Sequence, residues 1–152
     1  MVTPHPVSGP SARSTAWHLA RAAPALLAVL RIGAGLLFMQ HGAQKLLGWF
    51  GGFGGEGGTA PLFSLFGLAG VLELIGGLLI VIGLFTRPVA VLLVVEMLWA
   101  YFQAHLPQGV VPILNGGELA LLYALVWAYL AAAGPGPASV DGAIGRRRPR
   151  GS

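Results

Sequence analysis

Ala25-Leu-Leu-Ala-Val-Leu-Arg31-Ile-Gly-Ala-Gly-Leu-Leu-Phe-Met-Gln-His41-Gly-Ala-Gln-Lys45-Leu-Leu47 is the stretch on which the fold turns. It is nearly continuous hydrocarbon and long enough for the ~20 residues a helix needs to cross ~30 Å of bilayer core. Yet it carries Arg31, His41 and Lys45. A charge near the bilayer centre costs at least ~2.5 kcal/mol, so such residues face a protein interior and find partners there. At about 100° per residue, Arg31, Ala34, Gly35, Phe38, Gly42 and Lys45 share one stripe with His41 beside it. That stripe should face other helices.

The run recurs. Apolar segments at roughly 23–47, 65–86, 88–105 and 117–134 predict an all-α integral membrane protein, a bundle of four transmembrane helices. The whole composition agrees, with 55% hydrophobic and 9% charged residues and a mean hydropathy of +0.76. A soluble domain carries about 25% charged residues, so lipid is the expected solvent of this surface. The first run is far longer than a signal-peptide core and no small-residue cleavage site follows, so it is read as retained.

Outside the runs the composition changes. Residues 1–21, with Pro4, Pro6, Pro10, Ser8, Ser11 and Ser14, read as a disordered cytoplasmic tail. The transmembrane domain is expected over 22–134 and a basic cytoplasmic tail over 135–152. The glycine-rich segment from Gly48 to Pro61 would expose unpaired backbone in hydrocarbon, so it is an interfacial loop with Trp49, Phe50 and Phe53 dipping into headgroups. Thr86-Arg87-Pro88 reads as the tight turn of an antiparallel hairpin, and Pro107 to Gly117 as the break before the last run. Arg13, Arg21, Arg87 and the closing Arg146, Arg147, Arg148 and Arg150 fall on one side, against Lys45 on the other. Cytoplasmic flanks are enriched in Lys and Arg, which predicts both termini inside.

The formal charge of +4 and pI near 10.4 do not point to nucleic acid, because the cations lie between and beyond the apolar runs and form no contact patch. The chain has no cysteine, which excludes disulfides, thiolate metal sites and iron–sulfur ligation by this chain alone. No metal site is expected.

The intramembrane acids set the chemistry. Glu73 sits among Ala69, Gly70, Gly76 and Gly77, a small-residue face that admits a second backbone. Glu96 shares a stripe with Leu92, Trp99, Ala100 and Gln103, and Glu118 with Leu122, Leu125 and Tyr129. Counting ~1.5 Å per residue from the helix ends places Arg31 and Glu96 at one depth, ~12 Å in, and His41, His105 and Glu118 near ~25 Å, with Glu73 between. The expected pairs are Arg31 with Glu96, and Glu118 with His41 or Lys45. The cations Arg31 and Lys45 then face the acids Glu73, Glu96 and Glu118, so one carboxyl should be neutral, and Glu73 is the candidate. His41 and His105 meet the minimal requirement for bis-histidine haem, but histidines at helix ends are more often interfacial or hydrogen-bonded, and haem is not expected.

The string Arg31 to Leu46, an Arg followed by His41-Gly42-Ala-Gln-Lys45, resembles the first-helix motif of the DoxX family. Glu73-Leu-Ile-Gly-Gly-Leu-Leu-Ile-Val-Ile-Gly83-Leu-Phe-Thr-Arg87 is similar to its second helix, Asn115-Gly-Gly-Glu118 to its fourth-helix entrance and Gly134-Pro-Gly-Pro-Ala-Ser139-Val-Asp141 to its closing segment. The resemblance spans about residues 23–145. It implies a multi-pass protein of the bacterial cytoplasmic membrane, with Arg31, His41, Gly42, Lys45, Glu73, Asn115 and Glu118 as motif positions and Glu96 less firmly among them. Relatives include a subunit of a thiosulfate:quinone oxidoreductase and a membrane partner of thiol-redox and superoxide-detoxifying proteins. The leading expectation is therefore a membrane subunit of a quinone-linked redox complex, with quinone as ligand, no covalent cofactor, and partner subunits or a homo-oligomer. The candidate polar cluster is Arg31, His41, Lys45, Glu73, Glu96, Asn115 and Glu118. A structural or assembly subunit without chemistry is the alternative, and a small-solute or proton transporter ranks third.

Overall fold

A computed structural model describes residues 12–147, so the outermost ends of both expected tails, with Arg148 and Arg150, lie outside the described residues. Those residues are all helical in their regular structure, without a strand. Helix α1 runs Ala12–Leu47, α2 Leu65–Ile82, α3 Thr86–Gln108, α4 Glu118–Ala133 and α5 Val140–Arg147. Three segments are long and apolar enough to cross a membrane: Ala20–Leu47, Leu65–Ile82 and Thr86–Gln108. The apolar helix α4 is shorter, at 16 residues.

Several boundaries differ from the sequence reading. Helix α1 starts at Ala12, within the segment expected as a tail, and α5 lies within the expected C-terminal tail. The hairpin turn is Gly83–Phe85, not Thr86–Pro88. Gly83 adopts the left-handed conformation with φ 69°, its amide donating to Ile80 O at 3.1 Å and the Leu84 amide to Leu79 O at 3.0 Å. This glycine cap satisfies carbonyls that the last turn of α2 leaves open. Pro88 then falls in the first turn of α3, where a missing N–H breaks no bond, so the proline marks a start where the sequence suggested a stop.

Packing follows the small residues. Gly35 approaches Gly77 and Val81, while Gly42 lies on Gly70 and Leu74, so α1 and α2 run antiparallel with their backbones nearly touching. Helix α4 packs along α3. Phe38, Ile80, Ala90, Leu93, Met97, Tyr123, Ala124, Trp127 and Leu130 form the core, with Trp127 fully enclosed. Phe38 meets Tyr123 at 4.9 Å and Trp127 at 5.1 Å between ring centres, distances at which tilted aromatic pairs are favourable.

The α1 stripe is buried as expected at Arg31, Gly35, Phe38 and Gly42. The face assigned to α4 is not. Leu122, Leu125 and Tyr129 are exposed, and α4 buries Tyr123, Ala124, Trp127 and Leu130. On α3 the stripe of Glu96 holds in part: Trp99, Ala100 and Gln103 line one cavity with Glu96, whereas Leu92 is exposed apart from it and Leu93, Met97 and Tyr101 are buried. In lipid the outward face is as apolar as the inward one, so hydrophobic periodicity carries no sign of direction.

The loop from Gly48 to Ser64 is internally bonded. Phe53 N donates to Gly58 O at 2.7 Å, Gly57 N to Gly51 O at 3.0 Å, and Ala60 N ties the loop to Lys45 O at 2.7 Å. Trp49, Phe50 and Phe63 remain exposed on it.

Candidate functional site

The charged residues separate to two ends of the bundle. At the end formed by the last turn of α2, the start of α3 and the end of α4, Arg31 is 1% exposed. Its Nε donates to Pro135 O at 3.1 Å and its Nη2 to Ala138 O at 2.6 Å. Nη1 donates to Ile80 O at 2.6 Å and also to Val81 O. The guanidinium thus closes the C-terminal turn of α2 onto the segment that follows α4.

That segment is held again by Asp141. Its Oδ1 accepts from Phe85 N and its Oδ2 from Thr86 N, both at 2.9 Å. A carboxylate placed there satisfies open amides of α3 and faces the positive end of its dipole. Phe85, at φ 51°, sits in the left-handed region that a bulky side chain avoids, and the Asp141 bond holds it there. Arg87 Nη1 reaches Ala131 O at 2.9 Å and Ala132 O at 2.8 Å, the open carbonyls at the end of α4.

These contacts overturn the expected pairing of Arg31 with Glu96. The depth count took residue 23 as the bundle's edge, whereas α1 extends back to Ala12 and overhangs the end of α2, so Arg31 stands level with the last turn of α2. Glu96 lies further along the bundle, ten residues into α3 from Thr86, or ~15 Å of rise.

The second group surrounds a cavity of about 500 Å³ between the helices, toward the glycine-rich loop. Helix α1 contributes Phe38, His41 and Lys45, and α2 contributes Phe66, Ala69 and Glu73. From α3 come Glu96, Met97, Trp99, Gln103 and His105, and from α4 Leu119 and Tyr123. Ranked along their antiparallel helices, Phe38, Glu73, Glu96 and Tyr123 form the floor, and Leu65, Phe66, Gln103 and His105 stand toward the rim.

On this floor Lys45 Nζ binds both oxygens of Glu73, at 2.7 and 2.6 Å. The pair is largely buried, with side chains 18% and 6% exposed. Glu73 is therefore not the carboxyl left without a cation, as the charge count suggested. That position belongs to Glu96, 9% exposed, whose two oxygens meet no hydrogen-bond partner among the described residues. Lys45 and Glu73 both lie within electrostatic reach of it.

Both acids sit close to irregular helix. Glu73 falls in a π-helical turn, Leu72–Gly76, and a second one, Tyr101–His105, follows Glu96 by about a turn. The extra residue in a π turn re-aims side chains and recurs at functional sites.

Two expected members of the cluster stand elsewhere. Glu118 is exposed at the first position of α4 and lines a shallow outer groove with Pro112 and Leu122, not the cavity. Its pairing with His41 or Lys45 is absent, because Lys45 is engaged by Glu73, and the helix start supplies its own favourable field for a carboxylate. Asn115 stands behind the wall and fixes the connection before α4. Its Nδ2 donates to Gly109 O at 2.6 Å, its Oδ1 accepts from Gly117 N at 2.8 Å, and its carbonyl meets His105 Nδ1 at 3.0 Å. His41 and His105 do line one cavity. No cluster of three or more potential metal ligands occurs among the described residues.

Tyr123, Phe38 and Gln103 are cavity residues that the sequence reading did not single out for the site, and Asp141 is a structural one. Asp141 had a signal: Ser139-Val-Asp141 reads as a helix start, and Ser139 Oγ accepts from Gly142 N at 3.0 Å.

An all-helical protein with bilayer-length apolar helices and a partly charged cavity between them is a membrane protein with an internal polar site. The family model that matches is DoxX, over residues 26–106, and the chain belongs to the DoxX family. An uncharacterized protein of Haemophilus influenzae is 41% identical over 121 residues, covering 78% of this chain and 90% of that relative. No solved structure matches.

Proposed function

We propose that this DoxX-family membrane protein is the quinone-binding membrane subunit of a redox complex in a bacterial cytoplasmic membrane. In this reading α1 to α4 all cross the bilayer and both termini face the cytoplasm, since Arg21, Arg87 and Arg146 lie toward the Arg31 end. The supporting observation is the cavity: about 500 Å³, walled mainly by apolar and aromatic side chains, with His41, the Lys45–Glu73 pair and Glu96 converging inside it. Pockets of this size and lining suit a small amphiphile, with few polar groups fixing its orientation. A quinone head offers ring oxygens to those groups and an apolar tail to the rim. Electrons come from a partner redox subunit, because the sequence carries no recognisable flavin, haem or iron–sulfur motif.

The test is extraction in native-lipid nanodiscs, followed by solvent extraction and mass spectrometry of bound quinone. Quinone stoichiometric with the chain, and well above its ratio to bulk lipid, is expected. A quinone-to-lipid ratio equal to that of the surrounding membrane overturns the reading.

A further inference from the structure

We infer that Glu96 holds the ligand's head: it is the side chain that hydrogen-bonds a ring oxygen of a quinone seated head-inward on the cavity floor. This rests on the quinone reading above and assigns the contact within it. The argument is one of free hydrogen-bonding capacity. Lys45 and Glu73 bind each other at 2.6 and 2.7 Å, so two of the three ammonium N–H groups are already committed and a ligand can take more than the third only by loosening a buried pair, which is costly. His105 Nδ1 is engaged by Asn115 O. Glu96 has the opposite character: it lines the cavity, it is 9% exposed, and both its oxygens are unpartnered among the described residues. A buried polar group in that state is unfavourable until something meets it.

The position also fits the shape. Met97 and Phe38, both buried, line the floor with Glu96, and exposed lining residues include Leu65, Phe66, Trp99 and Leu119. A head on the floor therefore sends an apolar tail out past aromatic side chains. A carboxyl serves both redox forms of such a head: undissociated it donates to a quinone carbonyl, and ionised it accepts from a quinol hydroxyl.

The experiment uses the full chain in nanodiscs with a photoreactive azido-benzoquinone carrying a ten-carbon tail, competed by the unlabelled decyl benzoquinone. Saturable labelling of cavity residues is expected in the parent protein. Glu96→Leu should lower the affinity of that labelling roughly tenfold, the worth of about one hydrogen bond. Its thermal stability should be equal or higher, since an unpaired buried carboxyl is replaced by an apolar group. Glu96→Gln, which still donates and accepts, should keep affinity within about threefold. Labelling that the unlabelled compound does not compete in the parent would sink the quinone reading and this inference with it. Competed labelling that is equally tight in Glu96→Leu would overturn the role of Glu96 alone. If Glu96→Leu fails to fold, loss of affinity in Glu96→Gln equal to that in a Lys45→Met/Glu73→Leu control would likewise overturn it.

Discussion

Replacing Arg31 by Leu should unfasten one end of the bundle. The guanidinium donates to Pro135 O, Ile80 O, Val81 O and Ala138 O, and is 1% exposed. A net worth of about 1 kcal/mol per bond is conservative for a charged donor. The bonds together are then worth about 4 kcal/mol, a large share of the roughly 5–15 kcal/mol that holds a domain folded. Part of the loss is local: the last turn of α2 and the segment from Gly134 to Ser139 would each keep open carbonyls, and the chain between α4 and α5 would separate from α2. Thermal unfolding in mild detergent should fall by roughly 10 °C, using the slope of about 2–4 °C per kcal/mol for chains of this size. Limited proteolysis should cut between Gly134 and Ser139 in Arg31→Leu under conditions where the parent resists. Arg31→Lys is the sharper variant, because it keeps the charge but replaces a planar fork with one nitrogen that cannot reach carbonyls on both sides. It should recover less than half of the loss. Melting within about 2 °C of the parent for both variants, with unchanged proteolysis, would refute the clasp.

Three further outcomes follow from the same contacts. Lys45→Met should destabilise by about 3–5 kcal/mol because it strands the buried Glu73 carboxylate, and adding Glu73→Leu should restore most of it; a double variant as weak as the single, in thermal melts, contradicts this. Gly42→Val should part α1 from α2, since even a Cβ would stand 2.5 Å from Leu74 N and 2.7 Å from Gly70 O; a melting drop equivalent to at least about 1–3 kcal/mol is expected, whereas a neutral result would deny the close approach. Asp141→Ala should cost about 1–2 kcal/mol by uncovering the Phe85 and Thr86 amides; hydrogen exchange at those amides should speed up in the variant, and unchanged exchange would count against the cap.

The helical class, the location of the long apolar elements and the buried stripe of α1 were legible, because each rests on a property that packing leaves intact: a continuous apolar run, or a polar residue that lipid rejects. Of the seven residues expected as one polar cluster, His41, Lys45, Glu73 and Glu96 line a common cavity, whereas Arg31, Asn115 and Glu118 do not. What the sequence could not supply was their pairing. That depends on axial register, and because α1 overhangs the end of α2, Arg31 lies level with the last turn of α2, about two turns from where a count from residue 23 put it. The inward face of α4 was hidden for a different reason: Leu122 and Leu125 are as hydrophobic as Leu130, and only contact with Phe38 and Leu93 decides which side is interior. Glu118 was drawn into the cluster by its type and its place in a run, whereas the first position of a helix accommodates a carboxylate without any partner across the bundle.

The two cations of α1 show how a single helix serves both ends. Arg31 meets backbone carbonyls from α2 and from the segment beyond α4, a spread of acceptors that suits a rigid, planar five-donor group. Lys45, fourteen residues further on (45 − 31), meets one carboxylate from one neighbour, the geometry of a point charge. The first arrangement uses Nε, Nη1 and Nη2 and closes the structure around them. The second neutralises a charge at the edge of a cavity without filling it, and leaves the neighbouring Glu96 unpaired. Under the proposed function, a bundle closed at one end and hollow at the other has a reason to keep its ions unequally satisfied: rigidity where the chain is tied, and unspent hydrogen-bonding capacity where the quinone is proposed to enter.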